Sequence, residues 1–145
     1  MRSPSDSTLP RRKRAVLHAG LAALLAAAAH AANAGDTTPA QQLARFAAEA
    51  GTPGQSERGR GFFTSRHGGQ WSCASCHGDP PTTAGKHAST GKTIDPLAPS
   101  ANPAAFTDTT KVDKWFRRNC KDVLKRECTA AEKADVLAYL AALTR

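Results

Sequence analysis

The chain has 145 residues, of which 40% are hydrophobic and 22% charged, and its formal net charge at pH 7 is +8. Residues 1–34 contain five of the 20 Lys and Arg residues and one of the 12 Asp and Glu residues, so the remaining 111 residues have 15 basic against 11 acidic side chains, a net charge of +4. This excess is too small to indicate a nucleic-acid-binding protein, and 111 residues suit one small domain.

The first 34 residues have the pattern of a signal peptide. A basic segment at 11–14 precedes a largely apolar segment at 15–29, and Ala32-Asn33-Ala34 supplies a small-x-small cleavage site. We therefore predict cleavage after Ala34, a single mature domain over 35–145 and export to the periplasm. The apolar segment is short for a membrane span of roughly 20 residues, so no span is expected after processing; a retained N-terminal anchor is the alternative.

A first helix is predicted to start after Thr38 and to end at Gly51. Thr38 is a suitable N-cap, and Pro39 follows at the first helical position, where its missing N–H is not needed. The apolar residues of this helix share one face: Leu43, Phe46, Ala47 and Ala50.

A second helix is predicted to follow, with Ser56 as its N-cap. Gly59 lies inside this helix, and a residue without a side chain permits close approach of a neighbouring helix. We therefore expect the second helix to cross the last helix of the chain at Gly59, with Phe62 or Phe63 packing near Tyr139.

Cys73-Ala74-Ser75-Cys76-His77 is a C-x-x-C-H sequence, the pattern that attaches a c-type haem. The two thiols of such a sequence form thioethers with the haem vinyl groups, and the histidine becomes an axial ligand of the iron. We therefore predict one covalent haem c bound by Cys73, Cys76 and His77. The single methionine is Met1, so the second axial ligand is not the usual methionine. A zinc site formed by all four cysteines is the alternative.

Residues 78–103 are rich in proline, glycine, serine and threonine, and they predict an irregular loop rather than strands. A third helix is predicted to start at its cap Asp108, and a last helix at Thr129, which can form a capping box with Glu132. The apolar positions of the third helix are Val112, Trp115, Phe116, Cys120, Val123 and Leu124; those of the last helix are Val136, Tyr139, Leu140 and Leu143. The helices together predict an all-α fold, a small class I cytochrome c-like single domain around one haem.

The second axial position of the iron has more than one candidate. Asn119 lies on the apolar stripe of the third helix, three residues after Phe116. A carboxamide buried there needs a polar partner, which is either the haem iron or a backbone carbonyl. His87, ten residues after His77, is a second candidate ligand or a partner for a haem propionate, whereas His67 is expected in a surface loop.

Several segments in combination resemble the SHP group of cytochromes c (sphaeroides haem protein). They are Trp71-Ser72-Cys73-Ala74-Ser75-Cys76-His77, Thr90-Gly91-Lys92, Pro96-Leu97-Ala98-Pro99, Asn102-Pro103, Lys114-Trp115-Phe116-Arg117-Arg118-Asn119-Cys120-Lys121-Asp122-Val123-Leu124 and Arg126-Glu127-Cys128-Thr129. The resemblance implies His77 as the proximal iron ligand, Asn119 as a labile distal ligand and a Cys120–Cys128 disulfide. It also implies diheme cytochromes c and a membrane b-type cytochrome as electron donors.

This ligand set predicts electron transfer combined with gas binding. A carboxamide is a weak iron ligand, so reduction is expected to release Asn119 and to open the ferrous iron to O2, NO or CO. Two alternatives remain open: an enzyme at the same haem, acting as a nitric oxide dioxygenase or a peroxidase, and a simple carrier with a fixed sixth ligand. Residues 111–126 contain seven Lys and Arg residues, which favour either a docking face for an acidic redox partner or an ordinary solvated surface.

Overall fold

The computed structural model describes residues 35–144, so the predicted signal peptide and its cleavage site lie outside the described residues. The secondary structure within that range is α1 (Pro39–Ala50), α2 (Ser56–Thr64), α3 (Cys73–His77), β1 (Gly85–Lys86), β2 (Thr93–Ile94), α4 (Thr109–Leu124) and α5 (Ala130–Ala142). The predominance of helix confirms the predicted all-α class. No helix among the described residues combines the length and the apolarity that a bilayer crossing needs.

Three helix starts follow the predicted caps. The Thr38 hydroxyl accepts a backbone N–H of the first turn of α1, and the Asp108 carboxylate does the same for α4. Thr129 and Glu132 form the predicted capping box at the start of α5. Gly51 ends α1 with a φ of 66°, a left-handed conformation that glycine adopts without steric cost. The boundaries of these helices are therefore specified locally by the sequence.

The prediction that Ser56 caps α2 is wrong, because Ser56 is already the first helical residue and Gln55 occupies the cap position without a side-chain hydrogen bond. The carboxylate of Asp135, which comes from α5, accepts the Gln55 N–H at 2.7 Å. The same carboxylate accepts two hydrogen bonds from Arg58, each 2.8 Å long. A tertiary contact thus replaces the local cap at this helix start.

The predicted crossing of α2 and α5 at Gly59 is confirmed. A Cβ atom built on Gly59 would lie 1.9 Å from the carbonyl oxygen of Asp135 and 2.9 Å from the Cβ of Tyr139. The ring of Phe63 packs against that of Tyr139, with 5.5 Å between centroids. The two helix backbones therefore approach each other closely beside the haem motif.

Two apolar clusters form the core, and α5 contributes to both. The first cluster consists of Phe46, Val112, Ala134 and Leu137. The second, which we call the haem-motif cluster, consists of Phe63, Val136, Tyr139 and Leu140, with Cys73, Ala74, Phe116 and others packed against it. The sequence predicted only one apolar side for α5, whereas the structure buries this helix on two sides because α1 and α2 both pack on it.

The segment 78–103 is mostly irregular, as predicted, but it contains a short antiparallel hairpin that the sequence analysis missed. Gly85 pairs with Ile94 and Lys86 with Thr93. The turn between the strands includes Gly91 at a φ of 69°. Strands of two residues are too short to produce an alternating apolar pattern, so periodicity gives no signal for them.

Candidate haem site

The C-x-x-C-H sequence forms the short helix α3, whose start is fixed by two serines. Ser72 and Ser75 make a reciprocal capping box: the Ser75 N–H donates to the Ser72 hydroxyl oxygen at 3.1 Å, and the Ser72 N–H donates to the Ser75 hydroxyl oxygen at 2.9 Å. One helical turn places residues three and four apart on the same face. The thiols of Cys73 and Cys76 and the imidazole of His77 are thereby presented from a single turn.

The surroundings of His77 favour the protonation state that a metal ligand requires. Its Nδ1 atom is buried and has no hydrogen-bond partner among the described residues, and its ring centroid lies 6.3 Å from that of Phe63. Burial lowers the pKa of the His77 imidazole, which favours the neutral form. Neutral imidazole has the free nitrogen lone pair with which histidine binds iron.

The two cysteines of α3 are free thiols, both partly buried. Burial raises the pKa of the Cys73 thiol to about 11. The Cys76 sulfur accepts the backbone N–H of Ala88 at 3.3 Å, and a Cβ atom on Gly85 would lie 2.1 Å from the Cys76 carbonyl oxygen. The β1–β2 hairpin therefore lies directly against the haem motif. The sequence analysis did not predict this contact. Gly85 permits it by lacking a side chain, but a single glycine in a loop is only weak evidence for such a contact.

Asn119 lies on α4, one turn after Phe116, whose side chain packs against both core clusters. The side chain is partly buried rather than fully buried as predicted, since α4 turns it toward the edge of the apolar stripe. No residue among 35–144 makes a hydrogen bond with its carboxamide. Cys120, the next residue, is joined to Cys128 by a disulfide of 2.00 Å. Asn119 is thus an unpartnered amide on the helix that borders the haem-motif cluster.

The two other described histidines are engaged in local contacts. His67 is exposed, and its Nε2 lies 2.8 Å from the carbonyl oxygen of Phe62. The Nδ1 of His87 accepts the backbone N–H groups of Ser89 and Thr90, both at 3.3 Å. Within the described range neither ring contacts a carboxylate.

The zinc alternative is wrong, because the disulfide uses two of the four thiols. The described part of the chain contains no group of three or more His, Cys, Asp or Glu side chains arranged to hold a metal ion. A single histidine beside two free thiols fits a covalent haem instead, since the porphyrin supplies the remaining iron ligands.

Trp115 was predicted on the apolar stripe of α4, and this prediction is wrong. The side chain is 47% exposed. Lys114 and Arg118 lie over the ring, with Nζ at 5.4 Å and Cζ at 5.7 Å from its centroid. The helical spacing that identified the stripe does not separate its centre from its edge, and Trp115 is at the edge.

A mostly helical domain with a one-turn C-x-x-C-H helix, two cysteines outside the disulfide and a partly buried histidine defines a small c-type cytochrome. A family model described as a domain of unknown function, DUF1924, matches residues 49–140. The cytochrome c-type protein SHP of Cereibacter sphaeroides is 52% identical over 123 residues, which are 82% of this chain and 95% of that protein. The chain therefore belongs to the SHP family of cytochromes c, and its cofactor is one covalently bound haem c.

Two solved structures show the same fold. Oxidised SHP, an oxygen-binding cytochrome c, superimposes with a TM-score of 0.71 at 52% identity, covering 75% of this chain and 100% of that structure. The solution structure of cytochrome c'' of Methylophilus methylotrophus, which concerns the structural basis of haem-ligand detachment, gives a TM-score of 0.62 at 34% identity, covering 74% and 94%. The likeness to both confirms the small cytochrome c architecture.

Proposed function

We propose that this protein is a periplasmic electron-transfer cytochrome that binds diatomic gases when reduced, and that Asn119 controls access to the iron. In this proposal Cys73 and Cys76 hold the haem through thioethers and His77 is the proximal ligand. When bound, the haem would supply an iron that changes between ferric and ferrous states, and His77 and Asn119 would be its protein ligands. The observation that carries the proposal is the Asn119 carboxamide, which has no hydrogen-bond partner among the described residues.

A carboxamide ligand would be able to bind ferric iron and still be released. It is a weaker and harder donor than imidazole or thioether sulfur, so it favours ferric over ferrous iron. The disulfide after Asn119 restrains the C-terminal part of α4, which reduces the entropy that the side chain loses on binding. Once released, the amide group of Asn119 can donate a hydrogen bond to a gas molecule on the same side.

The relatives support both gas binding and release of an iron ligand. SHP is an oxygen-binding cytochrome c, and cytochrome c'' is associated with haem-ligand detachment. We extend these properties to this chain as O2, NO or CO binding that follows ligand release. Electron donors of the diheme cytochrome c and membrane b-type cytochrome classes belong to the same proposal.

The test compares Asn119→Ala with wild type and with Arg117→Ala. Arg117 is an exposed residue of α4 that lies about 160° around the helix from Asn119, so it controls for a general effect on α4. We expect low-spin ferric haem in wild type and Arg117→Ala, high-spin ferric haem in Asn119→Ala, and CO binding by all three ferrous forms. A low-spin ferric spectrum of Asn119→Ala would refute the ligand assignment, and wild-type ferrous haem that ignores CO would refute the gating.

Turnover measurements distinguish the enzymatic alternative from the proposed electron-transfer and gas-binding function. Steady-state consumption of nitric oxide or peroxide with a supplied electron donor is expected to stay at the level of free haem peptides. Catalytic consumption that Asn119→Ala changes would instead establish an enzyme at the same haem.

A further inference from the structure

The basic charge of α4 is neutralised unevenly along the helix. Lys111 pairs with Asp108 at 3.3 Å, Lys121 with Glu127 at 3.4 Å, and Arg126, just beyond the helix, with Glu132 at 2.6 Å. These pairs involve the two ends of the helix region. Its middle carries basic side chains that make no ion pair within the described range.

Lys114 and Arg118, in the middle of α4, make no ion pair with any residue in the described range. Both instead lie over the exposed ring of Trp115. We call these three residues the Trp115 patch. Cations at these distances interact favourably with the indole face, so the three side chains form one contiguous surface.

The composition of the patch matches the centre of a protein interface. Tryptophan and arginine are the residues most enriched among interface positions that dominate binding energy. Trp115 is the exposed large hydrophobic residue of the described chain. Exposing so large an apolar side chain is unfavourable in isolation, and contact with a partner removes that surface from water.

We propose that the Trp115 patch is the docking site for an acidic redox protein that exchanges an electron with the haem. This inference rests on the electron-transfer function proposed above and adds the surface and the charge of the partner. The unpaired cations favour a partner with a negatively charged surface, and complementary charge accelerates encounter of the two proteins. Trp115, Arg118 and Asn119 are spaced i, i+3 and i+4 on α4, so a partner on the patch would lie within one helical turn of the proposed iron ligand.

The test measures electron transfer from reduced flavodoxin, an acidic flavoprotein, to the ferric holoprotein by stopped flow. One electron leaves the flavin hydroquinone, which becomes the semiquinone, and the ferric haem becomes ferrous. Lys114→Glu/Arg118→Glu is compared with Lys86→Glu/Lys92→Glu, which makes the same change in net charge on the exposed lysines of the hairpin.

At low ionic strength we expect the patch variant to react at least about tenfold more slowly than wild type, and the hairpin variant to stay within about twofold. The difference should vanish near 1 M salt, where the Debye length falls to about 3 Å. Reduced lumiflavin, a small flavin that lacks the acidic protein surface of flavodoxin, should reduce all three proteins at nearly equal rates. A hairpin variant that is slowed as much as the patch variant would overturn the proposal, and so would a patch variant that is also slowed with lumiflavin.

A second readout does not depend on electron transfer. In a nuclear magnetic resonance titration with oxidised flavodoxin, the indole N–H signal of Trp115 should shift while that of the partly buried Trp71 stays fixed. Anionic phosphatidylglycerol vesicles should leave the Trp115 signal unchanged. A shift with vesicles but not with flavodoxin would overturn the proposal in favour of a membrane surface, whereas wild-type haem that lumiflavin cannot reduce would count against the electron-transfer function itself.

Discussion

The crossing of α2 and α5 permits a stability prediction with an internal control in the same helix. Gly59 and Gly61 are both in α2, two residues apart. A Cβ atom on Gly59 would meet the carbonyl oxygen of Asp135 at 1.9 Å and its carbonyl carbon at 2.5 Å. A Cβ atom on Gly61 would meet no atom within 4 Å. The two Gly→Ala substitutions therefore make the same chemical change in opposite packing environments.

The expected magnitudes follow from these distances. Alanine improves on glycine by roughly 0.5–1 kcal/mol inside a helix, so Gly61→Ala should raise the free energy of unfolding by about that amount. Gly59→Ala gains the same propensity, but an ordinary contact begins at 3.4 Å, so α2 must move by about 1.5 Å from α5. Overpacking typically costs 1–3 kcal/mol or more. Because the obstacle is rigid backbone, we expect a net loss of about 2 kcal/mol.

Urea unfolding of the ferric holoproteins, followed by far-ultraviolet circular dichroism, measures both changes. Haem absorbance in the same samples shows whether loosening of the crossing reaches the haem motif, since Phe63 of α2 contacts both Tyr139 and His77. The packing argument fails if Gly59→Ala is as stable as Gly61→Ala. It fails equally if both variants are destabilised by similar amounts.

Two further predictions concern Tyr139 and the disulfide. The Tyr139 hydroxyl donates to Asp79 at 3.0 Å, and burial together with this hydrogen bond raises the pKa of Tyr139 to about 12, above about 10 in an unfolded chain. Tyr139→Phe should therefore lower the free energy of unfolding by about 1 kcal/mol at pH 8. The difference from wild type should shrink as the pH rises from about 10 towards 12, because the tyrosine of the unfolded wild-type chain ionises first. Equal differences in urea unfolding at pH 8 and pH 11 would contradict this. Replacing Cys120 and Cys128 together by alanine should lower the free energy of unfolding by about 2–3 kcal/mol, because the bond closes a short loop in the unfolded chain. A decrease below about 1 kcal/mol in urea unfolding would contradict this estimate.

Features set by neighbouring residues were predictable from the sequence. The caps at Thr38, Asp108 and Thr129 act within one turn of their own helices. The C-x-x-C-H helix is likewise a single-turn motif. The close approach at Gly59 was predictable for a different reason: a glycine inside a helix is unfavourable, so its presence indicates a packing requirement.

Features set by distant residues were not predictable. The start of α2 is stabilised by Asp135, a residue 80 positions further along the chain from Gln55, so local rules selected Ser56 instead. The hairpin against Cys76 depends on tertiary contact of two-residue strands. The exposure of Trp115 depends on which part of the α4 stripe faces the core. In each case the structure depends on contact with residues that are distant in the sequence, and local sequence patterns contain no information about such contacts.

The proposed function of α4 depends on its rotational phase. Successive residues of an α-helix are about 100° apart, so Arg118, Asn119 and Cys120 point in three directions: to the exposed surface, to the edge of the stripe and to the core. A rotation of α4 by one residue would exchange the carboxamide for a cation or for the disulfide. The Asp108 cap fixes the first turn of this helix and the Cys120–Cys128 bond fixes its other half. One helix can therefore combine the proposed iron ligand with the proposed docking patch, because its phase is restrained on both sides of Trp115.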